Sequence, residues 1–183
     1  MKKWNTKKIA MLGVLIALQI TASRLLGINL SPSLRLSISD SFILLAGIWF
    51  GPVGGALTGG LADLTGCLLK GEAYLPILGV SPILVGFLAG LAAPVLRKSK
   101  NILVYGGIIA AISCVTSVLY RSWAFSQAFG MSFIGLLGPR ALQAVFMVIA
   151  NTMVVYELYR SPVTTMVYEE QEMEKLAKQR PLS

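Results

Sequence analysis

The sequence predicts an all-α membrane protein of six transmembrane helices with both termini on the cytoplasmic side. Three observations predict it. Of 183 residues, 55% are hydrophobic and 13% charged, about half the ~25% charged share of an ordinary soluble domain. Apolar runs matched to the ~30 Å hydrocarbon core of a bilayer recur along the chain. The basic residues sit in short clusters between those runs. With the N-terminus placed inside, eleven of the sixteen Lys and Arg fall on the cytoplasmic side, as the positive-inside rule asks.

The opening MKKWNTKKIAMLGVLIALQITASRLLG joins a basic front to an apolar run. More apolar segments follow and no convincing small-residue cleavage site interrupts it, so it reads as a retained first helix at about 9–26. A short second segment at about 40–50 is parted by FGPVGG from a third at about 53–69; together they form two helices, or one span plus an irregular piece. The remaining helices are expected at about 75–96, 102–120 and 133–158. Lys2, Lys3, Lys7, Lys8, Arg97, Lys98, Lys100, Arg160, Lys175, Lys178 and Arg180 make up the inside set. The expected domain is residues 1–162, a six-helix transmembrane unit, followed by a cytoplasmic tail at 163–183. That tail places acidic before basic residues, an order that suits a short helix dipole.

Several function classes are excluded. Histidine is absent and the two cysteines, Cys67 and Cys114, lie in separate apolar segments, so no Ser/His or Cys/His pair, zinc site or disulfide framework is indicated. The net charge of +8 is spread over flanking clusters and not over one aromatic-studded face, which argues against nucleic acid. No G-x-x-x-x-G-K-[ST] loop is present, so the chain cannot hold ATP in the usual way, and a binding subunit that borrows its energy from elsewhere fits these absences. No inverted repeat of the secondary-transporter kind is evident. No cofactor is implied.

With the inside clusters and tail removed, Arg24, Arg35, Asp40, Asp63, Lys70, Glu72, Arg121 and Arg140 remain, and all map to the outer half. Charges in hydrocarbon cost ~2.5–3.5 kcal/mol on insertion scales and turn toward a cavity or each other. One shared outward-facing hollow would satisfy them together. At 100° per residue Gly55, Gly59, Ala62 and Gly66 form a stripe with Asp63 at its edge, and small residues at that spacing admit a neighbouring helix. Asp63 therefore points into the bundle, as a ligand group or as a carboxylate neutralised to hold the fold. Arg140, Gln143, Met147 and Asn151 share a face about 16 Å deep. That face suits a long polar-ended ligand, or interhelical hydrogen bonds. In the loop YRSWAFSQAFGMSF, Arg121 stands among Tyr120, Trp123, Phe125, Phe129 and Phe133. This is an interfacial aromatic belt, or a lid whose guanidinium forks a carboxylate while rings stack. On helix 1, Ala10, Gly13, Ala17 and Thr21 form a stripe with Arg24, either packed inward or left as a docking groove.

The runs LRLSISDSFILLAGIWFGPVGGALTGGLADLTGCLL, LPILGVSPILVGFLAGL and GPRALQAVFMVIANT resemble the S components of energy-coupling factor (ECF) vitamin transporters, within them the folate-specific branch. The resemblance spans roughly residues 5–160 and is strongest in FGPxxGxxxGxxAD, Phe50 to Asp63. It implies an S-component-like bundle in a bacterial cell membrane that binds a vitamin from outside. It further implies partnership with a transmembrane scaffold subunit and two ATPase subunits, and a transport step in which the whole S component topples. The small-residue contact with the scaffold would map to Ala10, Gly13 and Ala17. Where the folate branch carries an aromatic, glycine-containing segment after helix 3, this chain has AYLPILGVS. For a folate-like ligand, Asp63 would accept from the pterin, with Arg121, Arg24 or Arg35 at the glutamyl end and Trp123 or Tyr74 stacked between. An S component for another vitamin or heterocyclic precursor, and a membrane assembly protein whose polar groups only join helices, are the alternatives.

Overall fold

The computed structural model describes residues 6–25, 28–31, 34–36, 38–71, 74–99 and 101–169. Helix α1 spans Thr6–Leu25, followed by a two-stranded antiparallel hairpin, β1 Ile28–Ser31 and β2 Leu34–Leu36. Helix α2 is Asp40–Lys70, α3 Pro76–Lys98 and α4 Ile102–Ser113. A π-helical stretch, Cys114–Tyr120, leads without a break into α5, Arg121–Phe129, and α6 is Phe133–Arg160. Among the described residues, five helices are long and apolar enough to cross a membrane. One of the five, α2, is two segments in one.

Gly51 has φ +84° and ψ −174° inside α2, a backbone region essentially reserved for glycine. Pro52 behind it disfavours the α conformation at Gly51 and is itself suited to the first turn of a new helix. FGP is thus a hinge, and the chain folds back across it: a Cβ on Gly55 would lie 2.8 Å from the Gly47 Cα. The two arms, 40–50 and 52–70, supply the second and third of the six expected segments. α3 packs into their crook. A Cβ on Gly47 would meet the Gly86 carbonyl oxygen at 2.7 Å and the Gly90 nitrogen at 2.8 Å. Gly55 faces Gly86, Gly59 faces Pro82 and Gly90 faces Pro52, all backbone to backbone. The stripe Gly55, Gly59, Ala62 is therefore a packing seam, as its spacing predicts.

The first arm of α2 is apolar all round because it is enclosed: Ile43, Leu44, Leu45, Ala46, Ile48 and Trp49 are all buried. Leu12, Leu15 and Ala22 of α1 bury against the bundle, while the second arm of α2 turns Val53, Leu57, Leu61, Leu64 and Leu68 outward, the row a bilayer would cover.

Helix ends follow local chemistry. The Asn101 side chain accepts from the Leu103 N–H at 3.0 Å at the start of α4, and Pro76 opens α3. Left-handed Gly71 and Gly130 close α2 and α5.

One end of the bundle gathers the Gly51 hinge, the C-termini of α3 and α6 and the N-terminus of α1. There Arg97 donates to the Ile48 and Trp49 carbonyls that end the first arm of α2, and its guanidinium lies 5.1 Å from the Tyr168 ring. Arg97 is thus more than a topological charge. Residues 162–169 form a further helical turn with Thr164 and Val167 buried. Residues 170–183 of the expected tail lie outside the described residues. The positive-inside rule makes this end cytoplasmic.

Candidate functional site

Toward the opposite end, three of the isolated charges, Asp63, Arg121 and Arg140, come within electrostatic reach of one another through Arg121. Asp63 lies twelve positions beyond Gly51, about 18 Å along the second arm of α2 at 1.5 Å per residue. It is half-buried at the edge of the glycine seam, next to buried Ala62. Arg121, the first residue of α5, interacts electrostatically with Asp63 and also with Arg140 of α6. Arg121 thus links charges from three helices electrostatically, with Asp63 on one side and Arg140 on the other. Two guanidiniums against one carboxylate leave a single excess positive charge, suited to a ligand with an anionic end.

Arg140 is 3% exposed, the most enclosed charged side chain among the described residues. Its guanidinium carbon lies 4.4 Å from the Phe125 ring centroid, a cation–π contact that orients the fork where water is scarce. Trp123 is half-exposed, with its ring 5.8 Å from Tyr120. The segment after the fifth span differs from the expected loop: 121–129 is helical. Unsatisfied backbone is costly at membrane depth, so the chain stays helical until Gly130. The helix sets Arg121, Ser122 and Phe125 on adjoining parts of one face.

Deeper in the bundle, Asn151 is buried and its Oδ1 accepts from the buried Ser41 hydroxyl at 2.6 Å. The pair joins α6 to the first turn of α2. Gln143 and Met147, half-buried, lie between Arg140 and Asn151 on the predicted face of α6. Tyr74 is half-buried just before α3, its ring occupying the space beside Gly79. Arg24 is in the last turn of α1 and Arg35 pairs with Asn29 in the hairpin. The side chains of both lie outside the described residues, as do those of Lys70 and Glu72.

Sequence reasoning missed several polar groups. Ser41 is one. Gln19 and Ser122 are also buried, and neither the Gln19 Oε1 nor the Ser122 hydroxyl has a hydrogen-bond partner among the described residues. Serine inside an apolar run carries little signal, since its hydroxyl commonly turns back onto its own helix. Gln19 was legible: it shares the 3.6-residue face of Leu12, Leu15 and Ala22, where a glutamine has no lipid-facing reason to be.

On α1, Ala10, Gly13 and Ala17 are exposed, and a Cβ on Gly13 would meet nothing within 4 Å. That stripe borders an apolar groove of about 350 Å³ whose walls include Leu15, Phe42, Trp49, Leu158 and Val167. Among the described residues, no group of three His, Cys, Asp or Glu could hold a metal ion.

Residues 7–169 match the family model described as ECF transporter, substrate-specific component. No curated protein matches the chain. Among solved structures, the one described as "Crystal structure of FolT bound with folic acid" is similar at a TM-score of 0.73 and 23% sequence identity, over 85% of this chain and 93% of that chain. A likeness at that identity is one of fold.

Proposed function

The chain belongs to the ECF transporter, substrate-specific component family, and from that membership we propose that its outer hollow binds folate or a reduced folate for import. The observation that carries the proposal is the convergence of Asp63, Arg121 and Arg140 at one end of the bundle. A pterin offers adjacent ring and amino donors to Asp63, and each charge-assisted hydrogen bond contributes ~1.5–3 kcal/mol. The glutamyl carboxylates sit with Arg121 and Arg140, and Phe125 and Trp123 flank the flat rings. Gln143 and Asn151, with Arg24, Arg35 and Tyr74, complete the proposed contacts. The FolT structure, described as bound with folic acid, supports this choice of ligand through its shared fold.

Transport needs ATPase subunits and a membrane scaffold, which we assign to separate chains of an ECF importer in a bacterial membrane. The exposed Ala10, Gly13 and Ala17 stripe favours that docking, because a helix can approach closely where no side chain intervenes.

The test is tryptophan fluorescence of the detergent-purified protein titrated with folic acid and a reduced folate. Saturable quenching is expected, with Asp63→Asn weakening it roughly 10- to 100-fold through loss of charge-assisted pairing. No response to folates, alongside thermal stabilisation by a different vitamin, would reassign the ligand. Silence to every vitamin, with Asp63→Asn lowering only thermal stability, would make the cluster a helix-joining device.

A further inference from the structure

The helix that delivers Arg121 changes register just before it does so. Over Cys114–Tyr120 the backbone is π-helical, and the Arg121 N–H donates to the Thr116 carbonyl five residues back. That carbonyl also accepts from the Ser81 hydroxyl of α3 at 3.4 Å. One turn on, the Tyr120 hydroxyl donates to the Ile77 carbonyl at 2.9 Å, again on α3. The Thr116 hydroxyl bonds the Ile112 carbonyl at 2.8 Å where the register begins to slip. Thr116 and Ser81 are both buried.

Isolated π-turns are rare and poorly bonded, and they cluster at functional sites. A turn of this kind takes up one extra residue, so every side chain after it is rotated by about 100° relative to a continuous α-helix. In uninterrupted α register Tyr120 would occupy the direction Arg121 now takes, and Arg121 would turn away from Asp63. Two hydroxyls from outside the ladder, Ser81 on α3 and Thr116 on the helix itself, satisfy carbonyls around the slip. Tyr120 lashes its outer end to the start of α3.

We propose that Cys114–Tyr120 is a register device that aims Arg121 at Asp63, with Ser81 and Tyr120 as the positioning residues that hold it. The inference rests on the ligand role proposed above for Asp63 and Arg121, and it adds the means by which that pair is set. It also ties α3 to the ligand site through a carbonyl instead of through a contact with ligand.

Two measurements test it. The first needs no ligand. With Cys67→Ser and Cys114→Ser as background, spin labels at Asp63→Cys and Arg121→Cys are expected to give one narrow distance distribution. Deleting Val118, which removes the extra residue, should shift that distribution, and Ser81→Ala combined with Tyr120→Phe should broaden it. An unchanged distribution in both variants would overturn the proposal. The second is a cycle of folic acid dissociation constants. Tyr120→Phe and Ser81→Ala should each weaken binding roughly fivefold, the worth of one hydrogen bond. In an Arg121→Ala background that loss should vanish, and Ser81→Thr, which keeps the hydroxyl, should leave binding near the native value in the native background. Losses of equal size in both backgrounds would show that these hydroxyls act on stability alone and would refute the positioning role. Failure of the wild-type chain to bind folic acid would overturn the folate assignment while leaving the distance measurement to judge the register device.

Discussion

Gly86→Ala removes the condition on which the packing of α3 against α2 is built. A Cβ at Gly86 would collide with the Gly55 carbonyl and lie 2.9 Å from the Ala56 nitrogen. Both obstacles are backbone, so no rotamer change relieves them. α2 and α3 must separate along the seam, where Gly47, Gly55, Gly59 and Gly90 depend on the same spacing. One methyl forced into a packed interior costs ~1–3 kcal/mol, and a backbone obstacle places this one near the upper value. For a chain of this size ~3 kcal/mol corresponds to a fall in melting temperature of about 6–12 °C. Thermal unfolding in detergent, followed by circular dichroism, reads it directly. Gly107→Ala is the matched control, because a Cβ there meets nothing within 4 Å. Equal melting temperatures for the two variants would refute the close-packed seam.

Gly51→Ala should cost ~1–3 kcal/mol, since alanine pays for a positive-φ conformation that glycine adopts freely; the same unfolding assay checks it. Arg97→Ala strips the donors from the Ile48 and Trp49 carbonyls and should destabilise by ~2–3 kcal/mol, with Arg97→Lys recovering part because one ammonium replaces a fork. The Ser41–Asn151 bond should appear as a coupling of ~0.6–1.7 kcal/mol in a Ser41→Ala, Asn151→Ala double-mutant cycle, and strict additivity would mean that the pair contributes no net energy.

The spans were legible because hydrocarbon imposes one rule on every segment, whatever its neighbours. The hinge was half-legible. FGP announces a break, yet whether 40–69 makes one crossing with an irregular piece or two depends on Gly47 meeting Gly55, a contact between arms. The helical 121–129 segment was hidden because Ser122, Ser126 and Gln127 resemble loop composition, while its actual environment is the bundle. At the site, each charge was identifiable by elimination from the inside clusters. Their meeting was a wager on desolvation cost and not a geometric deduction.

The sequence by itself determined the solvent this protein lives in, the number of its apolar segments, their orientation from the basic clusters, and the seam marked by Gly55, Gly59 and Ala62. These follow from composition and from periodicity within a single helix. Only the tertiary structure decided that Arg121 comes within electrostatic reach of both Asp63 and Arg140, that Asn151 is held by Ser41, and that a π-helical stretch leads into Arg121. Each depends on which helix lies beside which and at what rotation. Those quantities come from packing summed over the whole bundle, and no local stretch of residues contains them.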